Sequence, residues 1–281
     1  MADMGKTEVD AVSQELVSAF VQKQLIQSAK LMPLVQNFAA GPGIDLIKIP
    51  RTGDFTADTK TENTALTAQV LTMAADSLPL DQYKAILTRL EDNAGLQSTP
   101  NVVKEIVERQ ARQLALDIDT YIVTKLEAAS AAAPDHRVAY DNSGTADTLG
   151  QADILTAREL LHIQNIVFSE CFIGVNPASE SNLLAIDSFV HADTYGDARG
   201  IRNGELGRLY GAPVIMSNEF DEKKTIVWHP TAVAFARQMD PKVEHQRAPL
   251  GYLADDFAMS NLYGAVTLDS GKRQVMLGTA V

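Results

Sequence analysis

The residues of this chain whose types could do chemistry are five histidines, one cysteine and two close pairs of aspartates. His136, His162, His191, His229 and His245 are scattered. None belongs to an H-E-x-x-H motif or stands four residues from another, so a zinc site would have to be assembled from distant positions. Asp117 and Asp119 sit two residues apart in a helical pattern and cannot face each other, which denies them an acid–base partnership and predicts solvated carboxylates. Asp255 and Asp256 are neighbours in a strand pattern and point to opposite faces. Ser169-Glu170-Cys171 contains nucleophile types, but one cysteine on an apolar strand reads as core. Gly5-Lys6-Thr7 resembles the end of a phosphate-binding loop, yet the glycine required five positions earlier and the preceding strand are both missing. Gly200, Gly204, Gly207 and Gly211 have loop spacing, not that of a dinucleotide-binding turn. No catalytic, metal or cofactor constellation emerges, and the expectation is a protein that is not an enzyme and has no cofactor.

The elements that carry these residues are mixed. Val12, Leu16, Phe20, Val21, Leu25 and Ile26 recur at helical steps over 9–31, and Met32-Pro33 ends that helix. Gly41-Pro42-Gly43 then breaks the chain. A single amphipathic helix ahead of such a break is an arm, whose apolar stripe needs a partner elsewhere. Ile44, Leu46 and Ile49 read as a strand, Arg51 to Thr67 is polar and threonine-rich, and Ala68 to Leu90 is strand-like again. This predicts a long two-stranded excursion with a hydrophilic tip. Two-stranded ribbons are marginal in water, so it either folds back on its own domain or lies on another subunit.

Ser98-Thr99-Pro100 has the signature of a helix start. The stripe from Val103 to Ala129 predicts a spine helix of about 34 residues, about 50 Å long, stopped by Pro134. A polar loop (135–150) follows, then a helix of about 17 residues capped by Thr148, a buried strand from Phe168 to Val175, and a third helix opened by Asn176-Pro177. Beyond a glycine-rich polar stretch, His191 to Leu206, strands are expected at Gly207–Met216 and Thr225–Trp228, with a short helix at Pro230. Lys242–His245, Asp256–Met259, Asn261–Leu268 and Gln274–Leu277 complete the set, the last two joined as a hairpin through Asp269-Ser270-Gly271-Lys272. Helices and strands mix without a βα repeat, so the class is α+β.

Composition narrows the function classes. The chain has 281 residues, 46% hydrophobic and 21% charged, enough for a sizeable core in one large domain or two intimate ones. Asp+Glu outnumber Lys+Arg by 36 to 24, a net charge of -12, which disfavours a nucleic-acid reader. Cys171 alone can make no internal disulfide and points to a reducing compartment. No apolar run approaches the roughly 20 residues of a membrane helix. Asp3, Glu8 and Asp10 occupy the region where a signal peptide would be basic and then apolar.

One longer pattern is more specific. The run from Gly204 to Asn218, Gly-Glu-Leu-Gly-Arg-Leu-Tyr-Gly-Ala-Pro-Val-Ile-Met-Ser-Asn, combines a glycine-containing turn, G-x-P-V, a strand and Ser-Asn. It is followed by Trp228-His229-Pro230-Thr231-Ala232. With the order of arm, extended loop, spine helix, mixed domain and terminal strands, the chain resembles the major capsid proteins of tailed bacteriophages, the HK97-like fold. The resemblance implies an N-arm over 1–40, an extended E-loop hairpin over 41–94, a peripheral domain from 95–140 with 241–281, and an axial domain over 141–240. It further implies self-assembly into hexamers and pentamers that close an icosahedral head around double-stranded DNA held without sequence-specific binding. The chain would be part of the virion and assembled in the host cytoplasm, with no membrane involved. A separate scaffolding protein (favoured by Met1 over a trimmed mature chain), a portal protein and decoration proteins would be its partners.

Inter-subunit residues implied in this way are Thr52, Asp54, Phe55, Lys60 and Asn63 at the E-loop tip, and Leu16, Phe20 and Ile26 in the arm. Tyr195, Gly196, Gly200 and Arg202 are candidates for the loop at the five- and six-fold axes. Such contacts are heterologous, each subunit gripping a different patch on the next. Lys60 and Asn261 match no crosslinking chemistry, and none is expected. The charge of -12 per subunit opposes assembly. Low salt should therefore slow it, since burial at roughly 25 cal/mol per Å² must exceed a repulsion screened within about 8 Å at physiological salt. Two alternatives stand beside this reading: an encapsulin-type shell enclosing a protein cargo, and a cytosolic α+β enzyme with a polar pocket that no local motif announces.

Overall fold

The computed structural model describes residues 29–53, 55–66, 68–70, 73–92, 102–140, 148–184, 207–249 and 251–278. In chain order the strands and helices are β1 (Gln36–Ala39), β2 (Leu46–Thr52), β3 (Met73–Pro79), β4 (Gln82–Glu91), α1 (Val102–Glu127), β5 (Arg137–Val138), α2 (Gln151–Ile163), β6 (Phe172–Val175), α3 (Pro177–Leu184), β7 (Arg208–Leu209), β8 (Ala212–Met216), β9 (Lys224–Trp228), β10 (Val233–Arg247), β11 (Ala254–Thr267) and β12 (Gln274–Gly278). They form a four-stranded sheet ordered β1-β10-β11-β4, a six-stranded sheet ordered β5-β12-β9-β6-β8-β7, and a separate ribbon of β2 and β3.

The spine α1 lies on the four-stranded sheet. Val107, Ala111, Leu114, Ile118, Ile122 and Leu126 recur at three- and four-residue steps and are buried, against Phe235, Val243, Met259, Tyr263 and Ala265 of β10 and β11. The inward residues of β11 alternate as a sheet with one covered face requires. A second core joins α2 to the six-stranded sheet through Ile154, Ala157, Leu161, Ile173, Val227 and Leu277. Trp228 on β9 is fully buried and belongs to the spine's core, so the two cores abut along that strand. Among the described residues, no helix is long and apolar enough to cross a membrane.

Several expectations are corrected. Over the described residues the helix α1 runs for 26 residues and stops at Glu127, short of Pro134. It ends at Glu127 because Thr267 Oγ1 and Gln274 Nε2 both donate to the Lys125 carbonyl, and Ser130 N–H donates to Gly271. The last turn is thus satisfied from the sheets and the chain is drawn away. Ser98-Thr99-Pro100 lies outside the described residues. The second arm of the excursion is two strands. β3 pairs with β2 from Leu46↔Pro79 to Thr52↔Met73, whereas β4 joins the four-stranded sheet beside β11. Buried Leu78 and Leu80 pin the point where the chain changes partners.

The terminal strands do not form a hairpin. β11 runs in the four-stranded sheet, and β12 pairs with β9 and β5 in the other. The Asp269–Gly271 turn crosses between sheets, with Gly271 at φ +76 so tight against the spine exit that a Cβ would stand 2.4 Å from the Ala128 carbonyl oxygen. Phe168–Glu170 is a 3-10 turn ahead of β6. The helix α2 has 13 residues, and Asp153 accepts from Gly150 N–H at its start. Asn176 Oδ1 accepts from Ala178 N–H as a cap for α3, as its position predicts.

Candidate assembly surfaces

The ribbon leaves the body as two antiparallel strands, and its far side is open. Thr52 closes β2. Phe55, Leu66, Val70 and Met73 beyond it are 64%, 57%, 89% and 71% exposed, an unusual run of large apolar side chains in water. Lys60 and Asn63 lie in the exposed tip, where Asn63 takes φ +63 in a turn closed by Thr64 N–H donating to Thr61. The tip is braced by Gln69, which accepts from Thr56 N–H at 3.1 Å and donates to the Thr56 carbonyl at 2.5 Å. Asp54 is outside the described residues, as are Leu16, Phe20 and Ile26 of the arm and Tyr195, Gly196, Gly200 and Arg202 of the candidate axial loop.

At its root the ribbon is fastened to the body. Ile49 and Asp76 are cross-strand partners, so Arg51 and Asp76 share one face. Both grip Asp269: the Arg51 guanidinium lies 2.5 Å from its carboxylate, and Asp76 accepts its N–H at 3.2 Å. Gly264 on β11 receives the same root so closely that a Cβ there would stand 1.9 Å from the Pro79 carbonyl oxygen.

The arm enters the body at a second anchor. Ala29, Leu31 and Val35 are buried against the spine. The Asp119 carboxylate accepts the main-chain N–H groups of Lys30 and Leu31 at 2.8 and 3.1 Å. Burial raises its pKa, and the two donors oppose that shift. After the Met32–Leu34 turn, held by Trp228 Nε1–H donating to the Leu34 carbonyl at 3.3 Å, β1 pairs in parallel with β10.

At the opposite end of the four-stranded sheet, Arg89 makes a bidentate pair with Asp256 at 2.6 and 2.8 Å and lies over the Tyr252 ring. Arg247 grips Asp92 in the same two-pronged way. The guanidinium groups hold the Asp92 and Asp256 carboxyls below their usual range. Tyr252 and Leu253 project from the loop that joins β10 to β11.

The candidate chemistry resolves into structure. Asp119 is 1% exposed and not a solvated carboxylate, while Asp117 accepts the Tyr263 hydroxyl at 2.5 Å. Asp255 turns to Arg247 and His245, and Asp256 to Arg89, so they face apart as expected. Cys171 is buried, and burial pushes its thiol up to about 12. Among the described residues no group of three or more His, Cys, Asp or Glu side chains is placed to hold a metal ion. Sequence reasoning missed the Asp119 anchor and the Arg51–Asp76–Asp269 root. The root's partners stand 218 and 193 residues apart, so no local spacing announces them.

A family model described as phage capsid protein matches residues 76–270. No curated protein matches the sequence. Among solved structures, that of Mycobacterium phage Che8 is 22% identical over 83% of this chain and 84% of that one, with a TM-score of 0.65. The capsid structure of cyanophage P-SCSP1u is 17% identical over 88% and 86%, with a TM-score of 0.72. A virus-like particle from Pyrococcus furiosus is 11% identical over 94% and 99%, with a TM-score of 0.62.

Proposed function

Because the chain belongs to the phage capsid protein family and has the HK97-like fold, we propose that it is a major capsid protein assembling into hexamers and pentamers that close an icosahedral head around double-stranded DNA. As a shell protein it is a structural component of a phage particle and part of a homo-oligomer. The observation that carries the finer reading is the ribbon of β2 and β3. Its root packs on a small core of Leu78, Leu80, Ala234, Ala236 and Leu268, and beyond that root it exposes Phe55, Leu66, Val70 and Met73. That apolar surface needs a cover, and a ribbon seated on the neighbouring subunit's peripheral domain gives each subunit one gripping and one gripped patch.

In this reading residues 1–40 are the N-arm and 41–94 the E-loop. The peripheral domain comprises 95–140 with 241–281, and the axial domain 141–240. Assembly takes place in the host cytoplasm with a separate scaffolding protein, and portal and decoration proteins complete the head. The net charge of -12 suits a wall that encloses DNA without holding it.

Negative-stain imaging and size-exclusion of the purified chain test the proposal. Closed particles, or free pentamers and hexamers, are expected. A compact, monodisperse monomer at high concentration, with its ribbon packed inward, would sink it. A shell enclosing a protein cargo is the second reading; the likeness to a virus-like particle from Pyrococcus furiosus shows that the fold also occurs in a particle not described as a phage head. Packaged DNA or a co-purifying cargo protein decides between the two.

A further inference from the structure

The Asp269–Gly271 turn is where three parts of the molecule meet. The ribbon root reaches it through Arg51 and Asp76. The end of the spine reaches it through Ser130 N–H, which donates to the Gly271 carbonyl. The six-stranded sheet reaches it through Arg273, which heads β12. Asp269 and Ser270 both take left-handed backbone, at φ +51 and +53, a cost tolerated only where surroundings hold it.

The Asp269 carboxylate serves two arginines. Its Oδ1 is 2.5 Å from Arg51 Nη1, and its Oδ2 is 3.7 Å from Arg273 Nε. Arg273 Nη1 also donates to Thr231 Oγ1 at 3.0 Å. Thr231 in turn is 2.8 Å from His229 Nδ1, and His229 Nε2 is 3.6 Å from Glu170. A polar chain therefore runs from the ribbon root to the turn ahead of β6.

We infer that Asp269 is a hand-over contact setting the angle of the ribbon: held by Arg51 when the ribbon is seated, and taken by Arg273 when it swings away. The structure shows the seated state, in which both arginines already face the carboxylate. Arg51 makes the close contact here, while Arg273 stands within an ångström or so of replacing it on the other carboxylate oxygen. A partly exposed carboxylate that loses one cation without a substitute is left uncompensated. One with a waiting second cation is not, so the ribbon can change its angle at low cost. Asp76 grips only the Asp269 main chain and so acts as the pivot about which the change occurs. The inference rests on the shell reading, in that it concerns how the ribbon is aimed at a neighbour.

Hydrogen exchange of the β2 and β3 amides in the unassembled full-length chain tests it, with shell formation imaged in parallel. Asp269→Asn keeps a residue type that tolerates left-handed backbone and removes the charge. It should speed exchange at the ribbon root by roughly threefold to fivefold, the range for partly exposed pairs. Arg273→Gln should do the opposite and slow it about as much, because opening then strands the carboxylate. A merely structural role for Arg273 predicts faster exchange in both variants, and that result, or no change with Arg273→Gln, overturns the hand-over. Wild-type chain that builds no shells would sink the shell reading while leaving the exchange result to stand on its own.

Discussion

The carboxylate of Asp119, midway along the spine helix, accepts the main-chain N–H of Leu31 at 3.1 Å, and that of Lys30 at 2.8 Å, from a segment 88 residues earlier in the chain. The end of the arm is thus tied to the spine by a buried acid holding the backbone, independent of the side chains in that segment.

This tie has a pH signature. Burial raises the Asp119 pKa, so the native state retains a proton on this carboxyl where the unfolded chain has already lost it. Its contribution to stability is full below the ordinary value of about 4 and is lost as pH rises through the raised value. Asn at this position keeps one acceptor oxygen and cannot titrate. Urea midpoints measured from pH 7 to pH 4 should therefore show the wild type gaining on Asp119→Asn as pH falls. A gap that moves the other way would mean the two N–H donors outweigh burial. Asp119→Ala strands both donors and should cost about 1–3 kcal/mol, the loss widening as pH falls for the same reason.

Gly264 seats the ribbon root on β11, and its contact with the Pro79 carbonyl leaves no room for a side chain. Gly264→Ala must part the two segments and should lower stability by about 1–3 kcal/mol, read from thermal or urea unfolding. Gly41→Ala is the control. Its added Cβ would meet only Ile44 Cδ1, at the ordinary distance of 3.8 Å, and its melting curve should match the wild type. Equal losses in both would show that the root is not tightly packed.

These two positions also mark how far the sequence could be read. The apolar period of α1 is a local signal that the described part of the spine follows. The stretch expected as one strand from Gly207 to Met216 instead turns back at Tyr210-Gly211, both with positive φ, into the hairpin of β7 and β8. Asp119 was misread as solvated because its partners are backbone groups in a distant segment, which leave no trace in side-chain spacing. The turn residues Asp269-Ser270-Gly271-Lys272 carry a true reversal signal. What sends β12 to the other sheet is the seat of Gly271 against Ala128 to Ser130, a tertiary contact. Across 73–91 the strand-like pattern continues, and only Leu78 and Leu80, buried where the chain changes sheets, separate ribbon from body. A two-stranded ribbon was legible, because a mostly polar stretch between two strand patterns is a property of composition, whereas the surface it rests on was left open between its own domain and another subunit. The ribbon's root was not legible, because it depends on an ion pair and a main-chain hydrogen bond closed across most of the chain.

Removing the ribbon tip separates folding from assembly. The described residues from Thr52 to Asn63 contribute nothing to the buried cores. A chain lacking this segment, with the strands rejoined by a short turn, should remain soluble with an unchanged far-ultraviolet spectrum and fail to close shells in negative stain. The point variant Phe55→Ser should leave unfolding within about 0.5 kcal/mol of wild type while slowing particle formation by light scattering. Normal particles from the deletion would show that the tip grips nothing.

Cys171 reports on the integrity of the second core. Its side chain is buried beside β6, its thiol donates to the Val167 carbonyl at 3.6 Å, and burial lifts its pKa to about 12. The thiolate is the reactive form, so at pH 8 the native thiol is both covered and protonated. Iodoacetamide should leave the folded chain unmodified for hours and label it within minutes in denaturant. Because native labelling requires the α2 layer to open, its rate should follow the opening equilibrium of that layer. Ile154→Ala, which hollows the same core, should accelerate labelling by one to two orders of magnitude, in line with a loss of about 2–3 kcal/mol. Rapid labelling of the wild type would place the cysteine in an accessible site and reopen the nucleophile reading of Ser169-Glu170-Cys171.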